Sequence, residues 1–136
     1  MSHSNAPANA VVTAWLIVRA LYELARFDVI HAWYGFAGIE RQLVSQPVRD
    51  RPARAGSEEA VCEAVALASC LYCKPVLCLQ RSACAARLLR RRGVAARLVI
   101  GYRPVPFYSH AWVDVGGRVV NDSPEYLKRL QILHTM

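Results

Sequence analysis

Residues 78–122 decide the fold; they read CLQRSACAARLLRRRG (78–93), ARLVIGY (96–102) and YSHAWVDVGGRVVND (108–122). The first stretch has the periodicity of a helix over 78–92, and Gly93 stands where helices commonly end. The other stretches are rich in β-branched and aromatic residues, which is typical of strands, and Gly116-Gly117 predicts a turn before a last strand over 118–122. A helix that leads into an antiparallel sheet is an α+β pattern.

Upstream of this region the sequence predicts further helices. Residues 9–45 carry an apolar stripe that includes Leu16, Ala20, Leu24 and Phe27. A break is expected at Tyr34–Gly38 because two glycines fall there.

A second helix is expected from Ser57, as its N-cap, to about Cys73. The predicted organisation is a disordered tail (1–8), an N-terminal helical segment with a linker (9–56) and a core (57–136), all in one domain.

The charge of the chain is strongly positive, with 17 Lys and Arg against 10 Asp and Glu and a net charge of +7. This favours acidic partners or an anionic surface. No tract interleaves basic and aromatic residues, so nucleic acid is not an expected partner. The arginines at 87, 90, 91, 92 and 97 are interpreted as a solvated face near a helix end, with a dock for an acidic peptide as the alternative.

The predicted location is the cytoplasm. No secretory signal is visible, and an odd number of cysteines, five, indicates reduced thiols and no disulfide framework. The apolar run Ala10–Val18 is shorter than the roughly 20 residues that span a bilayer. Attachment of residues 9–45 to a membrane surface stays open.

Cys78 is the first candidate for a catalytic residue because it opens the predicted helix 78–92. The unpaired N–H groups and partial positive charge of a helix N-terminus favour the reactive thiolate. The same groups can hold an oxyanion, so the backbone N–H of Cys78 is a candidate oxyanion donor. The alternative is a buried apolar side chain, since free cysteines are often buried.

His110 is the second candidate, in the middle of the strand 108–115. It could act as a general base and acid, or it could be a core histidine bonded to the backbone. Trp112 lies two residues on and shares its face. The ring of Trp112 is a candidate for substrate binding, with ordinary core packing as the alternative.

Asp122 is the third candidate, although an acid at a strand end is also typical of a turn. Strand parity sets a condition on its pairing with His110. A two-residue Gly116-Gly117 turn would place Asp122 on the opposite face of the sheet. A three-residue loop with a bulge would place it directly across from His110, and we therefore predict the three-residue loop.

The remaining cysteines predict neither a metal nor a cofactor. Cys70 and Cys73 form a C-x-x-C late in a helix, without a second pair or a nearby histidine at ligand spacing. Cys62 is on the same helix face as this pair, which is typical of core packing, and Cys84 lies away from the activating helix end. No P-loop is present.

Several of these motifs together resemble a known family, and they occur in the family's order: CLQRS (78–82), LLRRRG (88–93), ARLVIG (96–101), HAWVD (110–114) and VND (120–122). The chain resembles the transglutaminase-like cysteine protease of lasso-peptide biosynthesis, the B protein, over about residues 57–125. The resemblance implies a papain-like, transglutaminase-type α+β fold. It also implies a triad with Cys78 as nucleophile, His110 as base and acid, and Asp122 as orienting carboxylate.

The implied activity is removal of the leader from a lasso-peptide precursor. The implied partners are that precursor, a separate leader-recognition protein and an asparagine-synthetase-like cyclase. A separate recognition protein is expected because residues 1–56 are too short and too helical for the recognition domain of fused members. Two alternatives remain: acyl transfer to an amine, and a non-catalytic peptide-binding module of the same fold.

Overall fold

The computed structural model describes residues 6–50, 56–122, 127 and 129–136, with only the backbone for 6–11. Within these ranges the helices are α1 (Ala6–Ser45), α2 (Ser57–Leu71) and α3 (Cys78–Arg91), and the strands are β1 (Ala96–Arg103), β2 (Tyr108–Val115), β3 (Arg118–Val119) and β4 (Gln131–Thr135). These strands form one antiparallel sheet in the order β3-β2-β1-β4. Most of the predicted tail lies outside the described residues, but residues 6–8 are helical.

Helix α1 is divided by a kink at Gly35, where φ is 66° and ψ is −160°. Glycine adopts this backbone without the strain that a Cβ would add, so the predicted break is confirmed. Before the kink the apolar stripe is buried at Leu16, Ala20 and Leu24, and after it at Ile39 and Leu43. Helix α1 therefore belongs to the main core along both of its segments.

Helix α3 is the centre of the molecule, packed between the other helices and the sheet. It ends as predicted: Gly93 has φ of 85°, and its N–H and that of Val94 bond back to the last turn, at the carbonyls of Arg90 and Leu89. Helix α2 begins differently from the prediction. Gly56, in a left-handed conformation, is its N-cap, and Ser57 is its first, buried residue.

The turn between β2 and β3 contradicts the predicted three-residue loop. Val115 pairs with Arg118 and Asp114 with Val119, so the turn has two residues. Gly116 and Gly117 have φ of 59° and 82°. Positive φ at both central residues is what a type I′ turn requires, and no bulge is needed.

The predicted solvated face is wrong for Arg87, Arg90 and Arg91, which make contacts with buried groups, whereas Arg97 is exposed. Arg87 Nε lies 2.7 Å from a carboxylate oxygen of Glu23, and Arg91 lies 3.7 Å from the other oxygen. Glu23 is only 1% exposed, so its charge needs these partners. The contact between Arg87 and Glu23 could not be predicted from local sequence, because the two residues lie 64 positions apart in the chain.

Arg90 is also buried, and its guanidinium joins three parts of the chain. It donates to the carbonyls of Leu43, of Ala96 at 2.8 Å and of Met136 at 3.0 Å. Arginine suits this position because its planar head presents several donors at fixed angles.

Replacing Arg90 by alanine is expected to lower the free energy of unfolding by about 3 kcal/mol or more, because buried carbonyls lose their donor. Arg90→Lys should recover only part of this loss, since one ammonium cannot reach all three carbonyls. Urea unfolding followed by circular dichroism measures the change. Arg118→Ala is the control, because Arg118 pairs with Glu58 at the surface. An Arg90→Ala midpoint equal to wild type would contradict the role.

No helix in the described ranges is both long enough and apolar enough to cross a membrane.

Candidate active site

His110 and Asp122 are brought together by the structure. His110 Nε2 and Asp122 Oδ2 form a hydrogen bond that is also a candidate ion pair. Both side chains are mostly shielded, at 12% and 24% exposure, so the bond is little weakened by water. Asp122 is in position to orient the imidazole and to stabilise its protonated form.

This contact forms despite the two-residue turn, because the β2–β3 ladder ends early. Val120 N–H still donates to Val113 O at 3.1 Å. The return bond of a regular ladder is replaced: Val113 N–H donates to the side-chain Oδ1 of Asn121 at 2.8 Å. The backbone leaves the ladder after Val120. The side chain of Asp122 therefore lies on the same face of the sheet as His110, which a regular ladder would not allow. The expected contact between His110 and Asp122 is present, but the three-residue loop that was predicted to produce it is absent.

Cys78 is the first residue of α3 and is half-buried. Leu77, the N-cap, provides no side-chain cap, so the first N–H groups of the helix keep their positive potential. Ser82 lies one turn later, on the same face, and its hydroxyl donates to Ala111 O at 3.0 Å. Helix α3 therefore contacts the strand that carries His110 one turn after Cys78.

The start of α3 is fixed to α1 by polar contacts. Gln80 donates to Leu24 O at 2.9 Å. Just before the helix, Lys74 Nζ lies 2.7 Å from Asp28, and the Tyr72 hydroxyl donates to the same carboxylate. Burial tends to raise the pKa of Asp28, but the hydrogen bonds from Lys74 and Tyr72 outweigh it and lower that pKa. The chain around Cys78 is therefore bonded to α1 both before Cys78, at Tyr72 and Lys74, and after it, at Gln80.

The other cysteines differ from Cys78 in their surroundings. Burial, with Glu58 next in size, raises the pKa of Cys62 to about 11. Burial likewise raises the pKa of Cys84 far above its ordinary value. Cys70 and Cys73 are exposed, and the described residues contain no group of three or more His, Cys, Asp and Glu that could hold a metal.

Trp112 is on the His110 face, as predicted, with ring centroids 6.5 Å apart. Its side chain is only 5% exposed and packs with Val99 and Leu127. A Cβ on Gly101, which pairs with His110, would lie 2.6 Å from Trp112 Cη2. Trp112 therefore fills the space over Gly101 and supports the strand, leaving little of the ring for a substrate.

Ser82 and Asn121 were missed as site residues by sequence reasoning. Asn121 precedes Asp122 at a strand end, a position where an amide side chain commonly bonds to the backbone. The same signal at a strand end applies to Asp122, so it does not single out Asn121. Ser82 carried no signal, since a serine inside a helix is most often unremarkable in sequence.

A helix that begins at Cys78 packs on an antiparallel sheet that carries a hydrogen-bonded His110–Asp122 pair, which is an α+β arrangement. The chain belongs to the Transglutaminase-like superfamily, whose family model matches residues 21–135. The predicted family and α+β fold are thereby confirmed.

Among curated proteins, the chain is similar to the microcin J25-processing protein McjB of Escherichia coli, with 48% identity over 56 residues. This match confirms the resemblance to the lasso-peptide B proteins. It covers 41% of this chain and 27% of McjB, so the chain matches about a quarter of the length of that relative. No solved structure matches the chain significantly.

Proposed function

We propose that the chain is a cysteine peptidase that removes the leader from a lasso-peptide precursor. The observation that carries the proposal is the His110–Asp122 pair, which lies at a strand that packs against the helix beginning at Cys78. The similarity to a processing protein supports the substrate class. A peptide bond at the end of the leader is the proposed target.

The proposed reaction has two halves. In the first, the Cys78 thiolate attacks the carbonyl carbon at the end of the leader, and the backbone N–H of Cys78 donates to the developing oxyanion. Because Nε2 of His110 is bonded to Asp122, Nδ1 is the ring nitrogen that passes a proton to the leaving amine.

In the second half, His110 takes a proton from water, which attacks the thioester. The carbon–sulfur bond breaks, and the leader is released as a free acid with the thiol restored. Asp122 carries the compensating negative charge beside the imidazolium in both halves.

The proposed partners are the precursor peptide, a separate leader-recognition protein and a cyclase resembling asparagine synthetase. All three come from the family resemblance. Attachment of residues 9–45 to a membrane surface remains a prediction. Aromatic side chains that such an attachment would use are exposed on α1, at 61% for Trp15 and 78% for Trp33.

The deciding experiment is incubation of the chain with the precursor peptide encoded beside it, with and without each candidate partner, read by mass spectrometry. A leader fragment with a free carboxylate is expected. An amide on that fragment would instead establish acyl transfer to an amine. An intact precursor in every mixture would contradict a peptidase and favour a peptide-binding module.

A further inference from the structure

We propose that Asn121 is a positioning residue that, with Ser82, sets the Asp122 carboxylate beside His110. The inference deepens the proposed function and rests on it, because positioning Asp122 affects the reaction only if the triad acts. Asn121 touches neither the substrate nor the reacting atoms in this scheme. Its effect is carried through Asp122.

The register of the β2–β3 hairpin would by itself keep Asp122 away from His110. Val115 pairs with Arg118, and a continued ladder would place residue 123 opposite His110. Asp122 would then extend from the opposite face of the sheet, out of reach of the imidazole. Asp122 is instead bonded to His110, so something must end the ladder at the right residue.

Asn121 ends the ladder because its side-chain oxygen takes the place of a backbone carbonyl as hydrogen-bond acceptor. Val113 N–H is fully buried and needs an acceptor, which regular pairing would supply from the carbonyl of Val120. Asn121 Oδ1 accepts that bond at 2.8 Å. The backbone at Val120 can therefore turn away without leaving a buried donor unsatisfied.

The other half of the amide connects the bend to α3. Asn121 Nδ2 donates to Ser82 Oγ at 3.0 Å, and the hydroxyl of Ser82 donates to Ala111 O at 3.0 Å. Ser82 is completely buried, which strengthens both bonds. It lies one turn from Cys78, Ala111 is adjacent to His110, and Asn121 is adjacent to Asp122. One buried hydroxyl thus connects the backbone segments that carry all three proposed catalytic residues.

The first test is kinetic. In Asn121→Ala, kcat for leader cleavage should fall roughly 10- to 100-fold, the effect expected of a misplacement of about 1 Å, with KM little changed. Ser82→Ala should lower kcat in the same direction by less, because Asn121 keeps its bond to Val113. Adding Asn121→Ala to Asp122→Ala should cause almost no further loss, because Asn121 acts through Asp122.

Two control variants remove comparable hydrogen bonds elsewhere. Gln46→Ala deletes an amide that bonds Arg87, and Ser69→Ala deletes a hydroxyl that bonds Val65 O at 2.7 Å. Both should keep wild-type kcat. An unchanged kcat in Asn121→Ala, or a full additional loss in the Asp122→Ala background, would overturn the proposal.

The second test needs no substrate, so it separates failure of this inference from failure of the proposed function. The ring N–H of His110 bonded to Asp122 should give a downfield proton NMR signal. That signal should vanish in Asp122→Ala, weaken in Asn121→Ala and Ser82→Ala, and persist in both controls. A full-strength signal in Asn121→Ala would refute the positioning role even if no precursor were ever cleaved. If Asn121→Ala fails to fold, the downfield proton signal is compared between Ser82→Ala and wild type, and a full-strength signal in Ser82→Ala would refute the positioning role.

Discussion

Cleavage of the precursor is expected to fall by roughly 10³-fold or more when Cys78 is replaced by alanine, the scale seen when a covalent nucleophile is removed. The proposed thioester cannot form without the sulfur of Cys78. Cys84 is buried within the core, and Cys62 belongs to α2. The cleavage rate, measured by mass spectrometry at saturating precursor, provides the test.

Cys62→Ala is the matched control for this change, because it removes a half-buried thiol from a neighbouring helix. It should retain the wild-type cleavage rate. Alkylation provides a second comparison: with a pKa of about 11, Cys62 holds almost no thiolate at neutral pH. Cys78 should therefore be labelled faster than Cys62 and Cys84. Unchanged processing by Cys78→Ala would reject the peptidase and leave the binding module.

The second large effect is expected for Asp122→Asn, which should lower kcat by roughly 10²- to 10⁴-fold. The amide nearly matches the carboxylate in size but carries no charge, and its NH₂ group can donate to the ring and favour the wrong tautomer. His110 would then be poorly prepared to exchange a proton with Cys78. Cleavage of the precursor, with KM determined separately, measures the loss.

Asp114→Asn is the matched control for Asp122→Asn. Asp114 lies on the same hairpin, where it accepts the Gly117 N–H at 2.8 Å and lies 4.0 Å from Arg97. An amide oxygen can still accept the turn hydrogen bond, so kcat should stay near wild type. If Asp122→Asn were as active as Asp114→Asn, Asp122 would be a turn residue and not part of a triad.

Local signals in the sequence predicted much of the fold. The start of α3 at Cys78, its end before Gly93 and the strand around His110 each depend on residues close in sequence, and all three are observed. β4 was missed because residues 131–135 are exposed throughout and show no alternation between apolar and polar positions. It is a strand because β1 provides a ladder partner for it.

The geometry of the candidate site could not be predicted fully from neighbouring residues in the sequence. In a regular ladder, a two-residue turn places Asp122 and His110 on opposite faces of the sheet, as the sequence argument predicted. Two consecutive glycines favour that type of turn. The exception comes from Asn121, whose bonds extend to Val113 and Ser82. Contacts between residues 39 positions apart, such as Asn121 and Ser82, follow only from the folded arrangement.

The kink at Gly35 has a consequence for where the catalytic unit begins. The segment before it bonds to the start of α3 through Leu24 and Gln80, and the segment after it bonds to the end of α3 through Leu43 and Arg90. The two segments of α1 thus contact α3 near its two ends. A fragment starting at residue 57 would lack these contacts and would expose the apolar side of α3, so the N-terminal segment is part of the same hydrophobic core as α3.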